Sequence, residues 1–211
     1  EGNFLSGTAS LSYYDPSAKT VENEIFYRAN TVKLGDVAQS MVIRDGKGYL
    51  VVNNSGVVFV IDADTFRVTG TVSNLISPRF IHLVSDTKGY ITDLYASRIT
   101  IFNPQTLAIT GHIETPGHKS TEQLVAYKHY IFVNCWSYDN TVLVIDTDRD
   151  EIVDEIEVGI QPVSMVLDRN DKLWVITDGG YEDSPYGWED PRLTRIDAAT
   201  RKVAKQFDFD R

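Results

Sequence analysis

The chain predicts an all-β fold, a β-propeller of four-stranded antiparallel blades. Three observations lead there: a recurring turn motif, four short apolar runs in each repeat, and the lack of any sustained helical spacing. The motif joins an apolar residue, an Asp or a relative of it, two further residues and Thr. It is sharpest at Ile61-Asp62-Ala63-Asp64-Thr65 and Ile196-Asp197-Ala198-Ala199-Thr200. Looser copies stand at Phe102-Asn103-Pro104-Gln105-Thr106 and Ile145-Asp146-Thr147-Asp148-Arg149, and a weaker one at Tyr14-Asp15-Pro16-Ser17-Ala18. Successive anchors Asp15, Asp62, Asn103, Asp146 and Asp197 lie 47, 41, 43 and 51 residues apart. A period in the forties with four strands per unit is the signature of propeller blades. A β-sandwich lacks a repeated turn at fixed period.

The elements follow in order. Ala9–Tyr14 and Val21–Phe26 are expected as the third and outer strands of an incomplete blade. The first full blade begins with the apolar run Ser40–Ile43. The turn Asp45-Gly46-Lys47-Gly48 follows, made of residues that tolerate positive φ. Gly48–Asn53 and Val57–Ile61 are its second and third strands, and Arg67–Val72 alternates as a half-exposed outer strand should. The turn Asp is placed to accept hydrogen bonds from N–H groups two and three residues on. Further blades are expected at Phe80–Ser85, Gly89–Leu94, Arg98–Asn103 and Ile109–Glu114; at Glu122–Tyr127, Tyr130–Trp136, Thr141–Asp146 and Ile152–Val158; and at Pro162–Asp168, Lys172–Thr177, Arg192–Asp197 and Val203–Phe209. No helix is expected. Residues 1–211 thus read as one propeller domain of about four and a half blades, part of a larger ring. At about 45 residues per blade, seven blades need on the order of a hundred more residues.

Composition narrows the partners. With 42% hydrophobic and 24% charged residues the chain is that of an ordinary folded domain, and no apolar run reaches membrane-spanning length. The formal net charge of −10 disfavours nucleic acid and anionic membranes. It also keeps a β-rich surface soluble. The single Cys135 excludes an intrachain disulfide and most thiolate metal sites.

Chemistry is expected where loops of several blades gather on one face. Polar residues stand at the mouth of each inner strand: Gln39, Arg79, Glu122 and Gln161. The loops between second and third strands add Tyr95, then Trp136 and Tyr138. The insertion Asp178–Pro191 carries Tyr181, Tyr186 and Trp188 among Gly179, Gly180, Pro185 and Gly187. Aromatic rims suit stacking on a sugar or another planar ring. The same rings could equally cover a neighbouring blade, and the polar residues could simply bind water. These ten residues form the candidate ligand site. No phosphate loop, nucleophile elbow or metal cluster is expected, and with them no catalytic residue, metal ligand or cofactor. A His118/Glu122 pair is the alternative, as metal ligands or as acid and base. Asp146, Asp148, Asp150 and Glu157 imitate a calcium loop, but Glu151 stands where such a loop needs Gly.

The segments Val57–Asp62, Asn140–Thr147 and Gly159–Met165 resemble YncE-like propellers, whose blades read Gly-x-x-Pro and then Asn-Thr-Val-x-Val-Ile-Asp. The aromatic-rich style is similar to the Bacteroidetes surface-layer lipoprotein branch, to which BtuG-type cobalamin-binding propellers are similar. That resemblance implies a non-enzymatic propeller at the cell surface or in the periplasm. Its expected partner is a small molecule, such as cobalamin or a glycan, or a surface protein. A metal-dependent lyase-type propeller is the enzymatic alternative.

Overall fold

The computed structural model describes residues 2–210. Strands β1 (Tyr13–Asp15) and β2 (Thr20–Glu22) form a two-stranded sheet, followed by a short helix α1 (Ile25–Asn30). Then come β3 (Val37–Arg44), β4 (Lys47–Asn53), β5 (Val57–Asp62) and β6 (Val68–Val72). The second set is β7 (Pro78–Leu83), β8 (Gly89–Asp93), β9 (Arg98–Phe102) and β10 (Ile109–Glu114). The third is β11 (Thr121–Tyr127), β12 (Tyr130–Cys135), β13 (Thr141–Asp146) and β14 (Glu151–Glu157). The fourth is β15 (Pro162–Leu167), β16 (Lys172–Thr177), β17 (Arg192–Asp197) and β18 (Lys202–Asp208). Each set is one four-stranded sheet in sequence order. The predicted blades are therefore present, with ends within a few residues of those expected.

The acidic turn residue closes each repeat as its chemistry suggests. Asp62 Oδ1 accepts from the N–H groups of Asp64 and Thr65 and from the Thr65 hydroxyl. Asn103 serves Gln105 and Thr106, Asp146 serves Asp148 and Arg149, and Asp197 serves Thr200. Asp15 bonds Ser17 and Ala18 in the same way. The fifth residue of each turn, Lys19, Phe66, Leu107, Asp150 or Arg201, lies in the left-handed region at φ 55 to 61°. In the last four the N–H of that residue returns to the carbonyl of the turn's first residue. The β3–β4 turn has positive φ at both Asp45 and Gly46, the type I′ geometry that suits a two-residue hairpin.

The start of the chain departs from expectation. Of the predicted strand Ala9–Tyr14 only Tyr13 and Tyr14 pair, of Val21–Phe26 only Val21 and Glu22 pair, and Ile25–Asn30 is helical. The reason is packing. Ile25 and Phe26 are buried, and Phe26 joins Ala9, Leu34, Leu50, Val52 and Ile61 in one cluster. Asn30 then fixes the helix end, donating to the Phe26 and Phe66 carbonyls and accepting from Val68 N.

Two compact units are distinguished, Glu1–Asp93 with Ile101–Gly111, and Leu94–Thr100 with His112–Arg211. In the first, β4 and β5 pack on β7, β8 and β9 through Tyr49, Val51, Val58, Val60, Ile81, Ile91 and Phe102. In the second, Phe132, Val142, Val144, Met165, Leu173, Val175 and Ile196 fill the space between the third and fourth sheets.

Candidate functional site

Two loops of the second unit line a concavity. The β12–β13 loop is anchored at its start by Ser120, whose carbonyl accepts from Trp136 N and whose hydroxyl accepts from Ser137 N. At its end Asp139 Oδ1 accepts from Asn140 N and Thr141 N. Tyr138 takes a left-handed conformation (φ 59°), and its side chain is exposed.

The β16–β17 insertion folds back on the segment before β15. Gly179 N donates to the Ile160 carbonyl, and Glu189 Oε1 accepts from Ile160 N at 2.7 Å. Gly179 is required here: its φ is 77°, and a Cβ would meet the Glu189 carbonyl oxygen at 2.1 Å. Bonds from Ser184 N to Tyr181 O and from Gly187 N to Ser184 O shape the tip. Tyr181, Tyr186 and Trp188 stay exposed. The base of the insertion is thus covering structure, and its tip is exposed.

The rings of Tyr138 and Tyr186 lie 4.1 Å apart, centroid to centroid, at 30°. A hydrogen bond to Tyr181 pushes the Tyr138 phenol above its ordinary range. Below this pair opens a pocket of about 420 Å³ lined by Gly117, His118, Asp139, Asn140, Thr141 and Ile160 with the two tyrosines. His118 Nδ1 lies 2.8 Å from Asp139 Oδ2, and Nε2 lies 3.7 Å from Glu155 Oε2. The His118 and Asp139 side chains are only 12% and 11% exposed. His118 is held by its own turn, its N–H donating to Thr115 O and its carbonyl accepting from the Thr115 hydroxyl. Cys135, fully buried at the end of β12, stands beside them, and burial pushes its thiol pKa well up, with the Asp139 and Glu155 charges adding.

The sequence-predicted residues divide accordingly. Tyr138, Tyr181 and Tyr186 come together; Trp136 and Trp188 lie outside the pocket wall. Tyr95 is exposed. The four polar residues do not share one register. Arg79 and Glu122 are each the second residue of an inner strand, Gln39 is the third of β3, and Gln161 precedes β15 with φ 56°. Pairing irregularities explain the shift: β3, β7, β11 and β15 each slip near their start, and Gln39, Arg79 and Glu122 fall within the slips. In β15 that place belongs to Val163. A bulge redirects side chains, so counting from the apolar run misplaces them. The pairing of His118 with Glu122 also gives way: Glu122 is in β11, and the carboxylate on His118 is that of Asp139. Sequence reading missed Asp139 because it lies 21 residues away, across two strands.

Comparison places this architecture among known proteins. A family model described as "Domain of unknown function (DUF5074)" matches residues 1–208. No curated protein sequence matches the chain. Hydrazine synthase of Kuenenia stuttgartiensis is similar at a TM-score of 0.68 and 18% identity, over 83% of this chain and 53% of that one. The dihydro-heme d1 dehydrogenase NirN, solved with DHE, is similar at 0.70 and 12%, over 95% and 42%. A chain of the mitotic checkpoint complex is similar at 0.71 and 10%, over 97% and 62%. The chain therefore spans roughly half the length of these structures, with which it shares a propeller-like fold.

Proposed function

The chain belongs to the DUF5074 family, and from its own surface we propose that it is a non-enzymatic binding module for a small polar ring compound, with a glycan the leading class. The observation that carries this is the close Tyr138–Tyr186 pair over a pocket of about 420 Å³ with a polar floor. That volume suits a small ligand rather than a macromolecule. Tyrosine faces supply apolar contact for a ring while Asn140, Thr141 and Asp139 supply hydrogen-bonding groups for its hydroxyls. The resemblance to YncE-like surface propellers supports a site at a bacterial cell surface or in the periplasm. It also keeps cobalamin as the second ligand to test.

Titration calorimetry against oligosaccharides and cobalamins tests the assignment. Tyr138→Ala and Tyr186→Ala are expected to weaken the bound ligand about three- to tenfold each, matching aromatic contacts of about 0.5–1.5 kcal/mol. Affinity unchanged in both variants would remove the rim from the site.

A further inference from the structure

We propose that His118, Cys135 and Asp139 form a binding site for one zinc-class divalent cation. A ring nitrogen of His118, Cys135 Sγ and a carboxylate oxygen of Asp139 all lie within 4.8 Å of one another. Among the described residues no other three such side chains converge this closely. The donor set combines thiolate, imidazole and carboxylate, which suits zinc over magnesium or calcium. Three protein ligands with an open fourth position is also the pattern of accessible zinc sites. His118 and Asp139 both line the pocket, which gives the ion its way in and leaves room for a water or ligand atom on it.

The proton balance closes. Before binding, His118 Nδ1 and Asp139 Oδ2 share a hydrogen bond of 2.8 Å and Cys135 carries its proton. On binding, Nδ1 turns its lone pair to the metal and the imidazole proton moves to Nε2. There it faces Glu155 Oε2, 3.7 Å away, a carboxylate placed to orient the ring. The Cys135 thiol gives up its proton to solvent, so one proton is released per ion. The metal also stabilises a thiolate that its buried position otherwise disfavours. Cys135 and Asp139 flank Trp136, Ser137 and Tyr138, so the ion would clamp both ends of the loop carrying the rim tyrosine.

The site shares Asp139 with the floor of the rim pocket but is tested without an organic ligand. Chelator-treated protein is titrated with Co²⁺ and then Zn²⁺. One equivalent of Co²⁺ is expected to give a thiolate-to-cobalt charge-transfer band, displaced by Zn²⁺, and one equivalent of Zn²⁺ to raise the wild-type melting temperature. Cys135→Ser is expected to lose the band, and Cys135→Ser and Asp139→Asn to weaken Zn²⁺ about a hundredfold or more. Tyr186→Ala keeps the band even where it loses the rim ligand, so the two sites fail separately. Absence of the band and of any melting shift in the wild-type protein overturns the proposal, without appeal to a variant's folding. So does equal Zn²⁺ affinity in a folded Cys135→Ser protein.

Discussion

Asn134 donates through Nδ2 to the Pro162 carbonyl at 2.5 Å, tying the second strand of one blade to the first residue of the next blade's inner strand. Asn53 makes the equivalent bond to Pro78 O at 3.3 Å and adds one to the Ser77 hydroxyl. Inner strands of successive blades belong to separate sheets, so such side chains take the place of a ladder. Asn134 is fully buried and its Oδ1 has no partner, which leaves the Nδ2 bond as its contribution. Asn134→Ala leaves the Pro162 carbonyl without its donor and is expected to cost about 1–3 kcal/mol in denaturant unfolding. A cost within error would assign blade docking to apolar packing alone.

Acid should weaken the last turn. The bond from Lys172, then those from Thr200, hold the Asp197 carboxyl down to about 2 from an ordinary 3.8. Lys172 Nζ sits 2.5 Å from its Oδ2. The folded pKa is below the unfolded one, so this stabilisation is complete above about pH 4 and disappears as pH falls toward 2. Asp62 and Asp168 are lowered too, chiefly by the Thr65 hydroxyl and by the Trp174 indole. Asp197→Asn keeps an acceptor for Thr200 but cannot titrate. Its denaturation midpoint should fall less between pH 4 and pH 2 than that of the wild type; parallel curves would rule out the assignment.

What was legible in the chain was its period, because Asp62, Asn103, Asp146 and Asp197 perform one local task that needs little beyond the turn itself. The left-handed residue that ends each turn was hidden: Phe66, Leu107, Asp150 and Arg201 hold it where Gly would have announced it. Helix α1 was invisible because six residues are too few to display a 3.6-residue period, and its face is set by the sheet beneath Phe26. The loop aromatics were found by composition, and three of six meet. Their polar floor was not, since His118 and Asp139 meet only after β11 to β13 have paired.

The Tyr138–Tyr186 pair should also hold the tip of the insertion. The tip has few buried groups, and its internal bonds run between neighbouring residues such as Tyr181 and Ser184. Losing an aromatic pair of about 0.5–1.5 kcal/mol raises local opening about three- to tenfold. Limited proteolysis between Asp178 and Pro191 should therefore quicken by that factor in Tyr138→Ala. Tyr138→Phe keeps the ring contact and loses only the bond with Tyr181, so its effect should be smaller. Equal rates in all three proteins would mean that the backbone bonds suffice.

Two glycines offer a test of packing in the first unit. A Cβ on Gly89 would meet Phe102 Cε1 at 2.4 Å and Cζ at 2.8 Å. Phe102 is fully buried among Tyr49, Ile81 and Ile91, and a flat ring so enclosed has no direction in which to retreat. A Cβ on Gly70 would approach Leu107 Cδ1 at 2.2 Å, which is closer still. That atom is the end of a flexible, partly buried side chain that another rotamer can move aside. Distance alone ranks Gly70→Ala as the worse substitution, and the freedom of the neighbour ranks Gly89→Ala worse. The second criterion should win. Gly89→Ala is expected to cost about 1–3 kcal/mol through overpacking, and Gly70→Ala under about 1 kcal/mol. Guanidinium unfolding of the two single variants decides it, and the reverse order would show that Leu107 is as fixed as Phe102.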